Sequence, residues 1–233
     1  MSLTDTFIEL AERGLVPDFL IRAGIRNLCR KRLKQCLTDD CEANAELAEK
    51  HLADSDASPM AVLTDKANEQ HYEVPAKFYQ LILGRNLKYS SCYFDQSASD
   101  LSKAEDRALK LTCEHAGLVD GQKILELGCG WGSLSLWMAK NYPNSRITSV
   151  SNSHSQRKHI DRQAREGGLE NLEIITEDVN AFETDDLFDR VVSVEMFEHV
   201  RNHRELFRRI HSWLKPGGKL FTHVFCHRST SYP

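Results

Sequence analysis

From residue 123 onward the chain alternates between short apolar runs and longer stretches whose apolar residues recur at helical spacing. The runs predict strands and the periodic stretches predict helices. After a helix over 103–115, the predicted order is strand 123–127, helix 133–141, strand 146–151, helix 155–166, strand 172–176, strand 188–195, helix 203–213 and strand 219–225. This alternation predicts an α/β fold, with a parallel sheet covered by helices on both faces.

The first 70 residues show no strand pattern and are predicted to be helical and polar, with a break at Gly14 and Pro17. The second helix is basic from Arg22 to Lys34, so residues 18–37 could contact a membrane surface weakly. A solvated face over a small helical core is the favoured alternative, because apolar residues fall among the basic positions instead of opposite them.

The stretch 54–59, D-S-D-A-S-P, has the composition of a linker. We therefore expect an N-terminal helical region over 1–58, a helical cap and pocket-lining segment over 59–115, and a sheet domain over 116–233.

Composition excludes several classes of protein. Hydrophobic residues at 41%, charged residues at 27% and a net charge of -4 are ordinary for a globular protein, and nucleic acid is not an expected partner. The seven cysteines form no C-x-x-C pair, so reduced thiols in the cytosol are expected instead of disulfides or a zinc site. No apolar segment near the N-terminus reads as a signal peptide or a membrane span.

The central stretch of the chain is 123–136, K-I-L-E-L-G-C-G-W-G-S-L-S-L, which predicts a strand, a glycine turn and a helix that Ser133 can cap. Such a turn brings backbone close to a ligand and presents the free N–H groups of the helix. The spacing is G-x-G-x-G and not the G-x-x-G ending of dinucleotide sites. Glu126, just before the turn, suits a positively charged ligand such as S-adenosylmethionine, while a turn without a ligand is the alternative.

Further candidate residues follow the other strands, where ligands of parallel sheets bind. Asn152 stands where dinucleotide sites place a ribose-binding acid, and Gln156 follows one helical turn later. After the third strand, Asp178 could accept from an adenine amino group and the backbone of Val179 could address the ring edge. A surface acid at a strand end is the alternative for Asp178.

The fourth strand delivers Glu195, Glu198 and His199 together. A carboxylate beside an imidazole can orient it and raise its basicity, which suits proton transfer near neutral pH. The spacing of Glu195, His199 and His203, like that of His223 and His227, would also allow metal binding, but no further ligands accompany either group and no metal is expected.

Two aromatic and hydroxyl-rich segments precede the sheet. They are H-Y-E-V-P at 71–75 and Y-S-S-C-Y-F at 89–94. Core packing and the lining of a pocket are equally open interpretations for them.

The chain resembles the S-adenosylmethionine-dependent methyltransferases of the cyclopropane-fatty-acid synthase family, and within it the coclaurine and pavine type N-methyltransferases. The resemblance runs from about His71 to the end. It rests on E-L-G-C-G-W-G-S-L, on the S-N-S-x-S-Q run at 151–156, on E-M-F-E-H and on L-K-P-G-G-K-L-F.

The resemblance implies a Rossmann-like class I methyltransferase sheet that uses S-adenosylmethionine. It implies that the cofactor is bound by Ser90, Gly128, Gly130, Asn152, Gln156, Asp178 and Val179. It also implies that Glu73, Glu198 and His199 face the methyl acceptor. Family members continue beyond this point, so the chain is expected to lack the last strands of the sheet.

The leading hypothesis is methylation of an amine nitrogen in a small molecule. Lipid-cyclopropanating members carry a cysteine at the position of Ser91, whereas here the cysteine is Cys92, which argues against methylene transfer to lipid without removing it as an alternative. A cofactor-binding module without activity and a nicotinamide oxidoreductase are the remaining hypotheses. The identity of the acceptor and the oligomeric state are left open.

Overall fold

The predicted strands are all present in the computed structural model of the protein, which describes residues 3–36, 40–62, 76–89 and 92–226. They are β1 (Lys123–Leu127), β2 (Arg146–Ser151), β3 (Leu172–Thr176), β4 (Phe188–Val194) and β5 (Leu214–His223). The five strands pair in parallel in the order β3-β2-β1-β4-β5. The predicted α/β fold is therefore confirmed.

Helices connect the strands and precede the sheet. In chain order they are α1 (Leu3–Glu12), α2 (Asp18–Cys36), α3 (Cys41–Asp56), α4 (Ala76–Ile82), α5 (Leu101–His115), α6 (Ser133–Asn141), α7 (His154–Glu166) and α8 (His203–Trp213), with a 3-10 turn at Phe197–His199. Helices α6 and α8 have the predicted bounds, and α7 begins one residue before its predicted start.

The sheet is buried on both faces, which explains why its strands read as continuous apolar runs. On one face, Leu125 and Leu127 of β1 pack with Leu206 and Ile210 of α8 in a single apolar cluster. On the other face, Ile124 belongs to a cluster that contains residues of α5 and α6. Neighbouring residues of β1 thus serve opposite faces, as the two-residue period of a strand requires.

The last strand differs from its prediction. β5 begins at Leu214 and ends at His223, whereas the sequence predicts a strand over 219–225. Leu214 pairs with Phe188 and Lys219 pairs with Arg190, with a register shift between the two pairs. The residues between Leu214 and Lys219 therefore form an irregularity within β5, opposite β4.

Two compact units can be distinguished. The described residues up to Ala53 belong to one unit, and Asp54–Phe225 form the other. The predicted linker at 54–59 begins at this boundary, but α3 continues through its first three positions to Asp56. The division into regions 1–58, 59–115 and 116–233 remains a prediction.

In the first unit, Gly14 has a φ of 69° and its N–H donates to the carbonyl of Ala11, so the chain turns there after α1. The predicted break is confirmed. Within the described residues, we find no helix with the length and apolar character needed to cross a membrane.

Candidate functional site

The order of the strands locates the candidate site. The chain passes outward from β1 through β2 to β3, then returns to β4 on the other side of β1. In parallel sheets ligands bind at the carboxyl ends of the strands, where the order reverses. We call the segments that follow β1, β2, β3 and β4 the carboxyl edge. Of the predicted site residues within the described ranges, Glu126 lies inside β1 and all the others belong to the carboxyl edge.

The three glycines of the turn after β1 serve two different purposes. Gly128, Gly130 and Gly132 have φ values of 81°, 52° and 82°, in the left-handed region that favours glycine. A Cβ on Gly128 would lie 2.7 Å from the Cβ of Met196, and one on Gly132 would lie 2.6 Å from Cγ1 of Ile160. A Cβ on Gly130 would meet no described atom within 4 Å. Two glycines thus permit close packing, and the third leaves backbone open to a ligand.

Helix α6 starts directly after this turn. Its N-cap is Gly132, which provides no side-chain cap, so the prediction that Ser133 caps the helix is wrong. Because Gly132 occupies the cap in a left-handed conformation, Ser133 is already the first helical residue. The backbone N–H groups of the first turn are consequently left without a side-chain cap at the carboxyl edge.

Glu126 lies in β1 and is almost completely buried, with 3% of its surface exposed. Its carboxylate accepts hydrogen bonds from Ser135 Oγ of α6 at 2.5 Å and from Ser149 Oγ of β2 at 2.8 Å. Burial raises the pKa of Glu126 to about 7, against the opposing effect of the two serine hydroxyls. The structure therefore shows Glu126 bonded within the protein, and its role toward a cofactor remains a prediction.

Gln156 is 1% exposed and follows the N-cap Ser153 of α7. Its Oε1 accepts a hydrogen bond from Ser151 Oγ at 2.7 Å, whereas its buried Nε2 has no partner among the described residues. A buried donor without a partner is costly, so such an atom suggests a missing acceptor. Asn152 stands beside it, directly after β2.

Asp178 and Val179 follow β3. Oδ1 of Asp178 accepts the N–H of Asn180 at 2.7 Å, which fixes the loop. The side chain of Asn180 in turn bonds both backbone groups of Ala61, at 2.8 and 3.0 Å. Val179 is partly buried against an apolar cluster of the sheet. Both residues are therefore held at the carboxyl edge, as predicted from the strand ends.

Glu195, Glu198 and His199 follow the end of β4, as the sequence predicts. Glu195 has a φ of 53°, and its N–H donates to the carbonyl of His223 at 2.8 Å. Glu198 and His199 are exposed on the 3-10 turn, and the carboxylate of Glu198 accepts the N–H of Phe225. Met196, which follows Glu195, fills the space beside Gly128, so the segment after β4 begins next to the glycine turn.

Glu73 and Ser90, and with them most of the segment 71–75, lie outside the described residues, so their predicted roles stay predictions. His227 also lies outside them. Among the residues that the structure describes, no group of three or more metal-ligating side chains could hold a metal ion.

Sequence reasoning missed two buried charges near the site. Glu105 of α5 is completely buried, and its carboxylate accepts the N–H groups of Gly84, Asn86 and Lys88 at 2.9, 2.8 and 3.1 Å. Lys88 itself is only 5% exposed. No local sequence signal marks either residue, because a buried and an exposed charge look alike in an amphipathic stretch.

An aromatic cluster connects the glycine turn to the helices around it. The ring of Trp131 lies 5.2 Å from that of Tyr79 in α4 and 5.5 Å from that of His159 in α7. A cleft of about 750 Å³ opens beside this cluster and is lined by Trp131, His159 and residues of α5 and α6. None of the predicted site residues lines it.

Comparison with known proteins gives a consistent result. Residues 63–232 match the sequence model of the family described as mycolic acid cyclopropane synthetase. The (S)-coclaurine N-methyltransferase of Thalictrum flavum subsp. glaucum is 37% identical over 229 residues, which cover 97% of this chain and 62% of that protein. The cyclopropane-fatty-acyl-phospholipid synthase of Escherichia coli (strain K12) is 32% identical over 213 residues, which cover 91% of this chain and 51% of that protein.

A crystal structure of coclaurine N-methyltransferase bound to N-methylheliamine and SAH matches with a TM-score of 0.93 at 34% identity, over 99% of this chain and 67% of that chain. The chain thus spans 62% of the length of the Thalictrum enzyme and 51% of the length of the bacterial synthase.

Proposed function

The chain belongs to the mycolic acid cyclopropane synthetase family, and from this premise we propose that it is an S-adenosylmethionine-dependent methyltransferase that methylates an amine nitrogen of a small molecule. The five-stranded sheet is that of the class I methyltransferases, as the resemblance implied. One observation carries the proposal. The open glycine turn after β1 packs against Met196 of the segment that carries Glu198 and His199, at the point where the strand order reverses.

The described residues fit the proposed cofactor. The backbone at Gly130 is open, and the first turn of α6 presents N–H groups beside it. The unpaired Nε2 of Gln156 supplies a donor for an oxygen of the ligand, and Asn152 adds a second amide. We assign the edge of the adenine ring to Asp178 and Val179, which follow β3 at the carboxyl edge.

When bound, S-adenosylmethionine supplies a methyl group on a positively charged sulfur, which an electron pair can attack from the opposite side. The protein has to place the acceptor nitrogen in line with that group, and positioning of this kind provides a large share of rate enhancement. We assign the orientation of the amine and the uptake of its proton to Glu198 and His199, which are exposed at the carboxyl edge. Glu73, which lies outside the described residues, is assigned the closing of the site on the resemblance alone.

An amine acceptor is favoured over a lipid by the relatives. The N-methyltransferase shares 37% identity over 97% of the chain, against 32% over 91% for the lipid-modifying synthase. Ser91, in place of the cysteine that lipid-cyclopropanating members carry, points in the same direction. We place the protein in a reducing compartment such as the cytosol, which is supported by the free thiols of Cys92, Cys113 and Cys129.

The proposal is tested by transfer of a labelled methyl group from S-adenosylmethionine to a panel of cyclic secondary amines, whose nitrogen carries the proton that is to be taken up. We expect turnover with at least one amine and a steep fall in His199→Ala, while that variant still binds S-adenosylhomocysteine in calorimetry. His211→Ala, an exposed histidine in the last turn of α8, is the matched control and should keep full activity. Unchanged turnover in His199→Ala would remove this residue from the mechanism.

Methylene transfer to lipid is the second candidate function, and the family model itself supports it. Modification of phospholipid vesicles that depends on bicarbonate, with no amine turnover, would establish it instead. Tight binding of S-adenosylhomocysteine with no turnover on either class of acceptor would indicate a cofactor-binding module without activity.

A further inference from the structure

The loops after β3 and β4 both bond one short piece of chain, residues 60–61, which we call the bridging segment. In the sheet, β3 and β4 are separated by β2 and β1, so the two loops leave strands that lie about 14 Å apart. The loop after β3 carries Asp178 and Val179, to which we assign the adenine ring. The loop after β4 carries Glu198 and His199. The bridging segment therefore connects the proposed cofactor side of the carboxyl edge to the residues proposed to act on the acceptor.

The loop after β3 contacts the bridging segment through the side chain of Asn180. Its Oδ1 accepts the N–H of Ala61 at 2.8 Å, and its Nδ2 donates to the carbonyl of Ala61 at 3.0 Å. One amide thus satisfies both backbone groups of a residue that is 8% exposed, where an unpaired group would be costly.

The backbone of Asn180 is fixed by other bonds. Its N–H donates to Oδ1 of Asp178 at 2.7 Å, and its carbonyl accepts a hydrogen bond from the guanidinium of Arg209 at 3.0 Å. The N–H groups of Ala181 and Phe182 both donate to the carbonyl of Asp178 at 2.9 Å. A change of the Asn180 side chain therefore removes the bonds to the bridging segment and leaves the bonds of the loop itself in place.

The loop after β4 bonds the other residue of the bridging segment. The carbonyl of Met60 accepts the N–H groups of Arg201 and Asn202, at 2.7 and 3.2 Å. Ala61 and Val200 stand opposite each other as an antiparallel pair. The bridging segment thus lies between the two loops and is hydrogen-bonded to each of them.

Apolar packing holds the bridging segment in the same place. Met60 is 4% exposed and belongs to the apolar cluster that contains Phe182, Phe197 and Val200. Phe182 follows β3, while Phe197 and Val200 stand in the chain on either side of the two proposed acceptor residues. Because a close-packed core transmits displacements, the position of the 3-10 turn depends on where the bridging segment lies.

We propose that Asn180 is a positioning residue for methyl transfer. Through the bridging segment it holds the loop of Glu198 and His199 at a fixed distance from the loop assigned to the adenine ring. The inference rests on the proposed function, because it gives Asn180 a part in that reaction. In-line attack requires an accurate distance between acceptor and methyl group, and a misplacement of about 1 Å can cost about 100-fold in rate. Cofactor binding at the loop after β3 then also restricts the loop after β4.

The connection is tested by amide hydrogen exchange, which needs no turnover. The reporter is the N–H of Arg201, which donates to the bridging segment at 2.7 Å. Asn180→Leu removes both bonds to Ala61, and we expect the Arg201 N–H to exchange at least about tenfold faster in this variant, relative to the amides of β1. S-adenosylhomocysteine should slow this exchange in the wild type and not in the variant. The same relative exchange rate in both proteins, or an equal effect of the ligand on both, would overturn the proposal.

The role in the reaction is tested by comparing turnover with binding. We expect kcat per folded protein to fall by about 10- to 100-fold in Asn180→Leu, with the affinity for S-adenosylhomocysteine within about threefold of the wild type. The affinity is kept because the loop after β3 retains its own bonds. An unchanged kcat would overturn the proposal.

Asn171→Leu is the matched control for loss of stability. The side chain of Asn171 donates to three backbone carbonyls at 3.0 to 3.2 Å, and the residue directly precedes β3, at the amino end of the strand. This variant should lose stability and keep its kcat per folded protein. An equal fall of kcat in Asn171→Leu and Asn180→Leu would assign the effect to the fold and overturn the proposal.

Asn180→Asp decides the question if Asn180→Leu does not fold. The carboxylate keeps an oxygen for the N–H of Ala61 and loses the donor to its carbonyl. We expect faster exchange of the Arg201 N–H and a lower kcat, both to a smaller extent than for a complete loss of the two bonds. Unchanged exchange would again overturn the proposal.

Failure of the two proposals can be told apart. If the wild type methylates no amine, the proposed function fails, and Asn180 has no methyl transfer to serve even where the exchange shows that the loops are joined. If the wild type is active and the exchange of the Arg201 N–H does not change in the variants, only the inference on Asn180 fails.

Discussion

Glu105 Oε1 accepts a hydrogen bond from the backbone N–H of Lys88 at 3.1 Å. The same carboxylate accepts the N–H groups of Gly84 and Asn86, at 2.9 and 2.8 Å, and Glu105 is completely buried. One side chain of α5 thus fixes the turn of residues 84–88. A buried carboxylate that bonds backbone donors in this way replaces the ladder that a strand would provide.

Replacing Glu105 by glutamine should therefore destabilise the protein strongly. Glutamine offers one acceptor oxygen, and its amide group would face an N–H that needs an acceptor, so at least one buried donor is left unpaired. We expect the free energy of unfolding to fall by about 3 kcal/mol, measured by urea denaturation. Glu114→Gln on the same helix is the control, since Glu114 is exposed and should show almost no change. An equal effect in both variants would contradict this account.

Substitutions in the glycine turn should separate effects on cofactor affinity from effects on the stability of the fold. Gly132→Ala places a methyl group 2.6 Å from the buried Ile160, at a φ of 82°, and should cost about 2 to 4 kcal/mol of stability. Gly130→Ala places its methyl group where no described atom lies within 4 Å, so the structural cost should be about 1 kcal/mol.

The effect on cofactor binding should be larger for Gly130→Ala than for Gly132→Ala, which is the reverse of the order expected for stability. The methyl group of Gly130→Ala would occupy the space proposed for the cofactor, and we expect at least a tenfold loss of S-adenosylhomocysteine affinity in calorimetry. Thermal unfolding measures the stability of the same samples. If Gly130→Ala bound the ligand as tightly as the wild type, the open side of the turn would not be where the cofactor lies.

The glycine turn and the turn fixed by Glu105 differ in how far the sequence could predict them. Local patterns are enough to predict β1, β2 and β3, and the glycine spacing predicts the cofactor turn, because these features depend on residues close together in the chain. The contacts of Glu105 join residues 17 to 21 positions apart, and no local pattern identifies them. The early start of β5 depends in the same way on pairing with β4, which only the folded chain provides.

Gln156 provides a third prediction, in which affinity and stability respond differently. Its Nε2 is buried without a partner among the described residues, so Gln156→Met removes a donor that contributes nothing to the unliganded protein. We expect S-adenosylhomocysteine affinity to fall about tenfold, the worth of one hydrogen bond. The free energy of unfolding should change by less than about 1 kcal/mol. The variant loses the hydrogen bond from Ser151 Oγ, and this loss offsets the gain from removing a buried donor that has no partner.

Calorimetry and urea denaturation of one protein preparation measure both quantities. Gln163→Met on the same helix is the control, because Gln163 bonds the exposed Glu166 at 2.9 Å and should affect neither. A loss of stability in Gln156→Met without any loss of affinity would assign Gln156 to the fold and not to the cofactor.

The buried carboxyl of Glu126 predicts how stability depends on pH. Burial raises its pKa from an ordinary value of 4.5 to about 7, so between these values the folded protein binds more protons at this group than the unfolded chain does. The contribution of Glu126 to the free energy of unfolding is therefore fully present below pH 4.5 and is lost as the pH rises through 7. The loss is about 3 kcal/mol for a shift of this size. Above that pH the contribution no longer changes.

Glu126→Gln should remove this dependence, because glutamine keeps an oxygen for the hydroxyls of Ser135 and Ser149 and does not ionise. The unfolding free energy of the variant, relative to the wild type, should rise by about 2 to 3 kcal/mol between pH 5 and pH 8, measured by urea denaturation at both values. Glu173→Gln, an exposed glutamate of β3, is the control and should show no such change. A constant difference between Glu126→Gln and wild type would mean that Glu126 is ionised throughout this range. The two serine hydroxyls would then outweigh its burial.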